Sequence, residues 1–109
     1  MIDWDRVTIL RDEVGADSFS EVVALFLDEV DEVIARFRAT PGLVNVERDM
    51  HFLKGSALNL GFETLGALCQ QGERLAAEGR GAEVDLHAVV AAYEESREYF
   101  LDGLDSRAA

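Results

Sequence analysis

Between Ser18 and Ala39 the apolar residues Phe19, Val22, Val23, Phe26, Val30, Val33, Ile34 and Phe37 return every three or four positions. Glu21, Asp28, Glu29, Asp31, Glu32, Arg36 and Arg38 fall between them. That period belongs to a helix with one buried stripe, because residues three and four apart share a helix face whereas strand neighbours alternate. Ser18-Phe19-Ser20-Glu21 reads as a capping box at its start. The outward carboxylates are spread along one stripe and do not converge, so they read as a solvated face and not as a metal site.

The remaining segments repeat the theme. Asp3 is a candidate N-cap for a short helix carrying Trp4, Val7, Leu10 or Ile9, and Val14, which Gly15 ends. This helix is expected to act as a lid over one end of the core. Thr40-Pro41-Gly42 ends the long helix in a tight reversal. From about Leu43 to Leu60, the residues Val46, Met50, Leu53, Ala57 and Leu60 define a core stripe, and Gly61 closes the helix as a left-handed cap.

Phe62 to Ala77 resumes as a helix whose core side carries Leu65, Leu68, Cys69, Gly72, Leu75 and Ala76. A glycine on a packing face lets two helices approach closely, so Gly72 is a candidate contact with the helix before it. Glu78 to Ala82 reads as a flexible loop. The last helix starts near Val84 or Asp85 and buries Leu86, Val89, Val90, Tyr93, Phe100, Leu101 and Leu104, leaving Asp105 to Ala109 to fray. No segment alternates in the manner of a strand. The expected fold is all-α: an antiparallel up-down four-helix bundle with a short additional N-terminal helix, forming one domain over residues 1–109.

Charge narrows the partners. The net charge of −12 and the pI near 4.4 repel phosphate backbones and anionic lipid, so neither nucleic acid nor a membrane is expected as a partner. Although 49% of residues are apolar, no apolar run approaches the roughly 20 residues of a membrane span. Met1-Ile2-Asp3-Trp4-Asp5 lacks the basic start of a signal peptide, which leaves a cytoplasmic, monomeric protein as the expectation. Cys69, the single cysteine, sits in an apolar pattern and is expected to be buried and inert.

Chemistry concentrates at Met50 to Gly61. His51, Lys54 and Gly55 fall within about one helical turn, one residue off the core stripe. At about 100° per residue, the face centred on His51 also holds Val44, Glu47, Arg48 and Leu58, a mixed surface suited to docking a partner protein. A neutral imidazole is a competent nucleophile toward phosphorus when a neighbour offsets the incoming charge, and Lys54 is placed to do so. Gly55 costs roughly 1 kcal/mol of helix stability relative to alanine, and access for a large partner is the expected reason for it. His87 has no such setting. No phosphate-cradling glycine loop, paired metal-spaced histidines or activated serine or cysteine is present in the sequence.

His51-Phe52-Leu53-Lys54-Gly55-Ser56, followed by Asn59-Leu60-Gly61, Leu65, Cys69 and Glu73, resembles the signature of histidine-containing phosphotransfer (HPt) domains of two-component phosphorelays. The resemblance implies that His51 takes a phosphoryl group on Nε2, that Lys54 helps neutralise it and that Gly55 keeps the approach open. It implies further that Glu73 holds Nδ1–H, which would fix the tautomer and free the other nitrogen. Ser56 and Asn59 read as structural or rim residues. Gly72 departs from the pattern, standing where the family commonly has a larger apolar residue.

The function so implied is that of a stand-alone phosphocarrier, not an enzyme by itself, working between a histidine kinase or phospho-aspartate receiver and a response-regulator receiver domain. It would bind no cofactor, and the partner receiver would bring Mg²⁺. The alternative is a helical interaction or inhibitor module that docks through Val44, Leu58 and His51 without being phosphorylated.

Overall fold

The structure is a computed structural model describing residues 1–108. It is all-α: α1 spans Trp4–Val14, α2 Phe19–Ala39, α3 Val46–Leu60, α4 Glu63–Ala77 and α5 Leu86–Ala108. Single 3₁₀ turns, Pro41–Leu43 and Gly81–Glu83, lie in the α2–α3 and α4–α5 connections. The four longer helices form the up-down bundle and α1 covers one end, with Val7 and Leu10 buried beneath it.

Each stripe read from the sequence faces the core. Val23, Val30, Val33, Ile34 and Phe37 of α2 meet Met50, Leu53, Ala57 and Leu60 of α3, with Leu65 and Cys69 of α4 and Val89, Tyr93 and Phe100 of α5 completing the cluster. Cys69 is fully buried, and burial pushes its thiol up to about 12. Tyr93 donates to Asp31 Oδ1 at 2.5 Å, which ties α5 to α2.

α3 and α4 are the most intimately packed pair. At one end they are joined by Gly61, whose φ of +76° places it in the left-handed region that glycine tolerates. A Cβ there would also lie 2.6 Å from the carbonyl oxygen of Asp3. The N-terminal segment crosses this turn: Asp3 N–H donates to Gly61 O at 2.8 Å and Glu63 N–H to Met1 O at 3.0 Å. Phe62 then enters the core, its ring edge-on to Phe100 at 5.3 Å.

Further along the same pair, a Cβ on Gly72 would lie 3.0 Å from both Cγ and Sδ of Met50 and 3.3 Å from Val84. The missing side chain is therefore replaced by Met50, which is fully buried. Back at the Gly61 end, Trp4 stacks on Phe100 with ring centres 6.0 Å apart, and the Arg107 guanidinium lies 4.0 Å above the Trp4 ring.

Two local expectations are corrected. Ser18 has near-helical backbone angles (φ −96°, ψ −8°) and its side chain caps nothing, so the capping box does not form; a capping side chain reaches inward from an extended residue. The third helix begins at Val46, because Pro41–Leu43 is spent on the 3₁₀ turn and Asn45 caps the helix by accepting from Arg48 N–H at 3.1 Å. In the Glu78–Ala82 segment Arg80 pairs with Glu83 at 2.7 Å and with Glu78 at 3.4 Å. α5 continues over 105–108; Ala109 lies outside the described residues.

The Gly72–Met50 fit generates a coupled prediction. Gly72→Leu overpacks the contact and destabilises by about 1–3 kcal/mol, and Met50→Ala alone costs about 2–5 kcal/mol. The double mutant loses less than the sum in urea unfolding, since leucine fills the space methionine leaves. Strict additivity would show that the two positions do not share a contact.

Candidate functional site

His51 stands on α3 one and a half turns from its N-terminus, with 72% of its side chain exposed. Its neighbours Met50 and Leu53 are fully buried, and these anchors fix the direction in which the imidazole points. Glu73 approaches from α4, and its two carboxylate oxygens are divided between two groups of α3. Oε2 is hydrogen-bonded to Nδ1 of His51, and Oε1 accepts from the Lys54 ammonium at 2.5 Å.

That arrangement bears on where the shared proton lies. The Glu73 carboxyl is held below the ordinary glutamate range by the hydrogen bond from Lys54, against a desolvation effect that raises it, and further by the hydrogen bond with His51. It is therefore ionised near neutral pH and only accepts hydrogen bonds, so the proton between it and the imidazole belongs to Nδ1. In a neutral ring so held, Nε2 is the nitrogen that carries the lone pair.

Lys54 differs from its expected setting. Its side chain is 28% exposed, and its ammonium lies on Glu73 and not free on the surface beside the ring. A Cβ on Gly55 would meet nothing within 4 Å. No packing among the described residues requires glycine at this point.

Among the surface residues, Glu47, Arg48 and Leu58 are exposed on the α3 face that carries His51. Val44 is not on that face. It precedes the helix in an extended conformation (φ −73°, ψ 130°) and packs half-buried against the core, so the helical rotation that set it beside His51 does not apply to it. His87 is exposed near the start of α5. Asn59 accepts from Arg6 at 3.0 Å, linking α3 to α1, and Ser56 is buried.

Asp49 is the residue that periodicity missed. It is 3% exposed, and its Oδ1 accepts from Arg36 of α2 at 3.4 Å and from Arg48 at 3.3 Å. A carboxylate beside the stripe residue Met50 reads as surface in the sequence; the only hint was the pair of arginines one residue and thirteen residues before it.

Among the described residues no group of three or more His, Cys, Asp or Glu side chains is placed to hold a metal ion. Among them, too, no helix is long and apolar enough to cross a membrane.

A helical bundle that presents an exposed imidazole, braced from behind by a carboxylate of the adjacent helix, defines a class: a histidine-displaying helical protein. Comparison with known families matches residues 21–104 to the Hpt domain. The chain belongs to the Hpt domain family, and its general role is phosphotransfer in a phosphorelay. Comparisons with curated proteins and with solved structures give no match.

The depressed Glu73 titration carries a pH prediction. A carboxyl whose folded pKa lies below its unfolded value, about 4.3, contributes its tether fully above that value and loses it as pH falls through the folded one. The His51–Glu73–Lys54 link is thus intact at neutral pH and breaks only in acid. Carboxyl ¹³C titration should place the Glu73 midpoint below the ordinary glutamate value; a midpoint at or above it contradicts the assignment.

Proposed function

We propose that the chain is a phosphocarrier that accepts a phosphoryl group at Nε2 of His51 and passes it to the aspartate of a response-regulator receiver domain. The observation that carries this reading is the exposed imidazole with Nδ1 engaged by Glu73. A ring held in that tautomer offers an unprotonated Nε2 outward without needing a separate base.

The transfer balances simply. Nε2 attacks phosphorus as the bond to the donor breaks, either the P–O bond of a phospho-aspartate or the P–N bond of a kinase phosphohistidine, and the donor side chain leaves. The reverse exchange delivers the group to a receiver carboxylate. A loose in-line transfer needs mainly alignment and charge neutralisation.

Lys54 supplies one cation, and the receiver supplies Mg²⁺ and its own carboxylates; this chain binds no cofactor and is not an enzyme by itself. The open space at Gly55 supports its role as a clearing for the partner's loops. Glu47, Arg48 and Leu58 form the rim on which a kinase or receiver docks. The protein acts as a cytoplasmic monomer, with neither nucleic acid nor membrane as partner, consistent with its charge of −12.

Incubation with a phosphorylated receiver or an active kinase should leave an acid-labile, alkali-stable phosphoryl group on the wild type and none on His51→Gln. Label persisting in the variant would refute the site. Stable receiver binding with no label on the wild type would instead favour a docking module using the exposed Leu58.

Gly55 separates stability from transfer. Gly55→Ala should raise stability by up to about 1 kcal/mol, since the methyl enters open space and helix propensity improves. Gly55→Leu should leave the fold intact and slow transfer from the receiver. A bulky variant that transfers at the wild-type rate would remove the access role.

A further inference from the structure

His51 has a basic residue one helical turn away on each side, Arg48 before it and Lys54 after it. Lys54 lies toward α4, where its ammonium is engaged by Glu73. Arg48 lies toward α2, in a groove shared with Arg36 and Asp49, and its Nε donates to Oδ1 of Asp49 at 3.3 Å. The geometry points to Arg48, held by Asp49, as the cation that receives the oxygens of a phosphoryl group on Nε2 of His51. The biological setting rests on the phosphocarrier reading, but the chemistry needs only the imidazole and a phosphoryl donor.

The shape of the imidazole gives the first step. Nδ1 and Nε2 lie on opposite sides of the ring, and Nδ1 is turned toward α4 by its contact with Glu73. Nε2 is therefore turned away from α4, toward solvent and the Arg48 side of the helix. Helical side chains also lean back over the preceding turn, which carries the imidazole toward residues 47 and 48.

The way Arg48 is held gives the second. Asp49 is 3% exposed and is gripped from α2 by Arg36, whose Nη2 donates to the same Oδ1 at 3.4 Å. Arg48 itself is 66% exposed. A buried carboxylate thus restrains the guanidinium at Nε and leaves its two Nη groups without a hydrogen-bond partner among the described residues. Those two groups form the edge of arginine that matches two oxygens of a phosphoryl group. Glu29 and Glu32 of α2 line the same groove, so the attraction lies in the directed fork and not in a general positive field.

The test is phosphorylation of His87→Gln, in which His51 is the chain's one histidine, by phosphoramidate. Nε2 attacks phosphorus, the P–N bond of the donor breaks, and ammonia leaves with the bonding pair while Nδ1 keeps its proton. No kinase or receiver takes part. ³¹P NMR then follows the second ionisation of the bound phosphoryl group against pH. A facing cation favours the dianion, so Arg48→Gln should raise that midpoint by roughly half a pH unit, the size of an exposed charge pair. Arg48→Lys should recover part of the shift. Arg11→Gln, which removes the same charge from an exposed position on α1, should leave the midpoint in place. In an Asp49→Asn background Arg48→Gln should shift it less, because an unanchored arginine contributes less. The role of Asp49 as a positioning residue is read in the wild type as well: the Arg48 Nε–H should exchange slowly with solvent.

An unchanged midpoint in Arg48→Gln, or an equal shift in Arg11→Gln, would overturn the proposal. A freely exchanging Arg48 Nε–H would remove the anchor, and an imidazole that phosphoramidate leaves unlabelled would show that Nε2 is not the open nitrogen. Failure of every kinase and receiver to label His51 would sink the phosphocarrier reading and leave this result to stand or fall separately.

Discussion

The close approach of α3 and α4 at Gly72 and Met50 is the contact on which the rest of the site depends. Helix pairs ordinarily pack 8–10 Å apart according to the side chains between them, and here one of those side chains is absent while a fully buried methionine fills the gap. Met50 immediately precedes His51, and Gly72 immediately precedes Glu73. The same contact that completes the core therefore fixes the separation of the two backbones from which imidazole and carboxylate reach toward each other. A larger residue at 72 would need a smaller partner at 50 to keep that spacing.

The hairpin is held at its other end as well. Gly61 closes it about 15 Å along the helix axis from His51, and the N-terminal segment crosses that turn with two backbone hydrogen bonds. Residues 1–20 lie outside the family match, yet they carry the bonds to the turn and the Trp4 ring that stacks on Phe100. One end of the α3–α4 pair is secured by backbone geometry and the other by side-chain fit. His51 lies between them on a helix whose rotation is fixed by Met50, Leu53 and Ala57.

Much of this was legible in the sequence because each helix has one apolar stripe with an unbroken period. The face of His51 followed from the stripe beneath it, and Lys54 and Gly55 followed from spacing within one helix. Glu73 did not: it is 22 positions away, and periodicity has no access to pairings between helices, so only the family resemblance pointed to it. Asp49 escaped both routes, since a carboxylate in the first turn of a helix reads as solvated and its burial depends on Arg36 arriving from α2. Val44 lies outside the helix because a proline-led 3₁₀ turn consumes residues that a continuous helix would have rotated onto the His51 face. Ser18 carried the letters of a cap without the extended backbone that lets a cap reach.

The charge of the site differs from that of the chain. At physiological ionic strength charges are screened over about 8 Å, so an approaching protein meets the residues around His51 more than the total of −12. Those residues carry both signs: Glu73 is matched by Lys54, and Arg48, next to Glu47 on the same face, pairs with Asp49, which Arg36 also meets. The imidazole thus sits in a patch of mixed charge beside the exposed Leu58 on an otherwise acidic protein. For the proposed transfer this matters twice. A receiver's cluster of carboxylates can approach without meeting a uniformly like field, and the incoming phosphoryl dianion is added to a site of mixed charge. Removing Lys54 would disturb both conditions, leaving Glu73 uncompensated at the place where negative charge is about to accumulate.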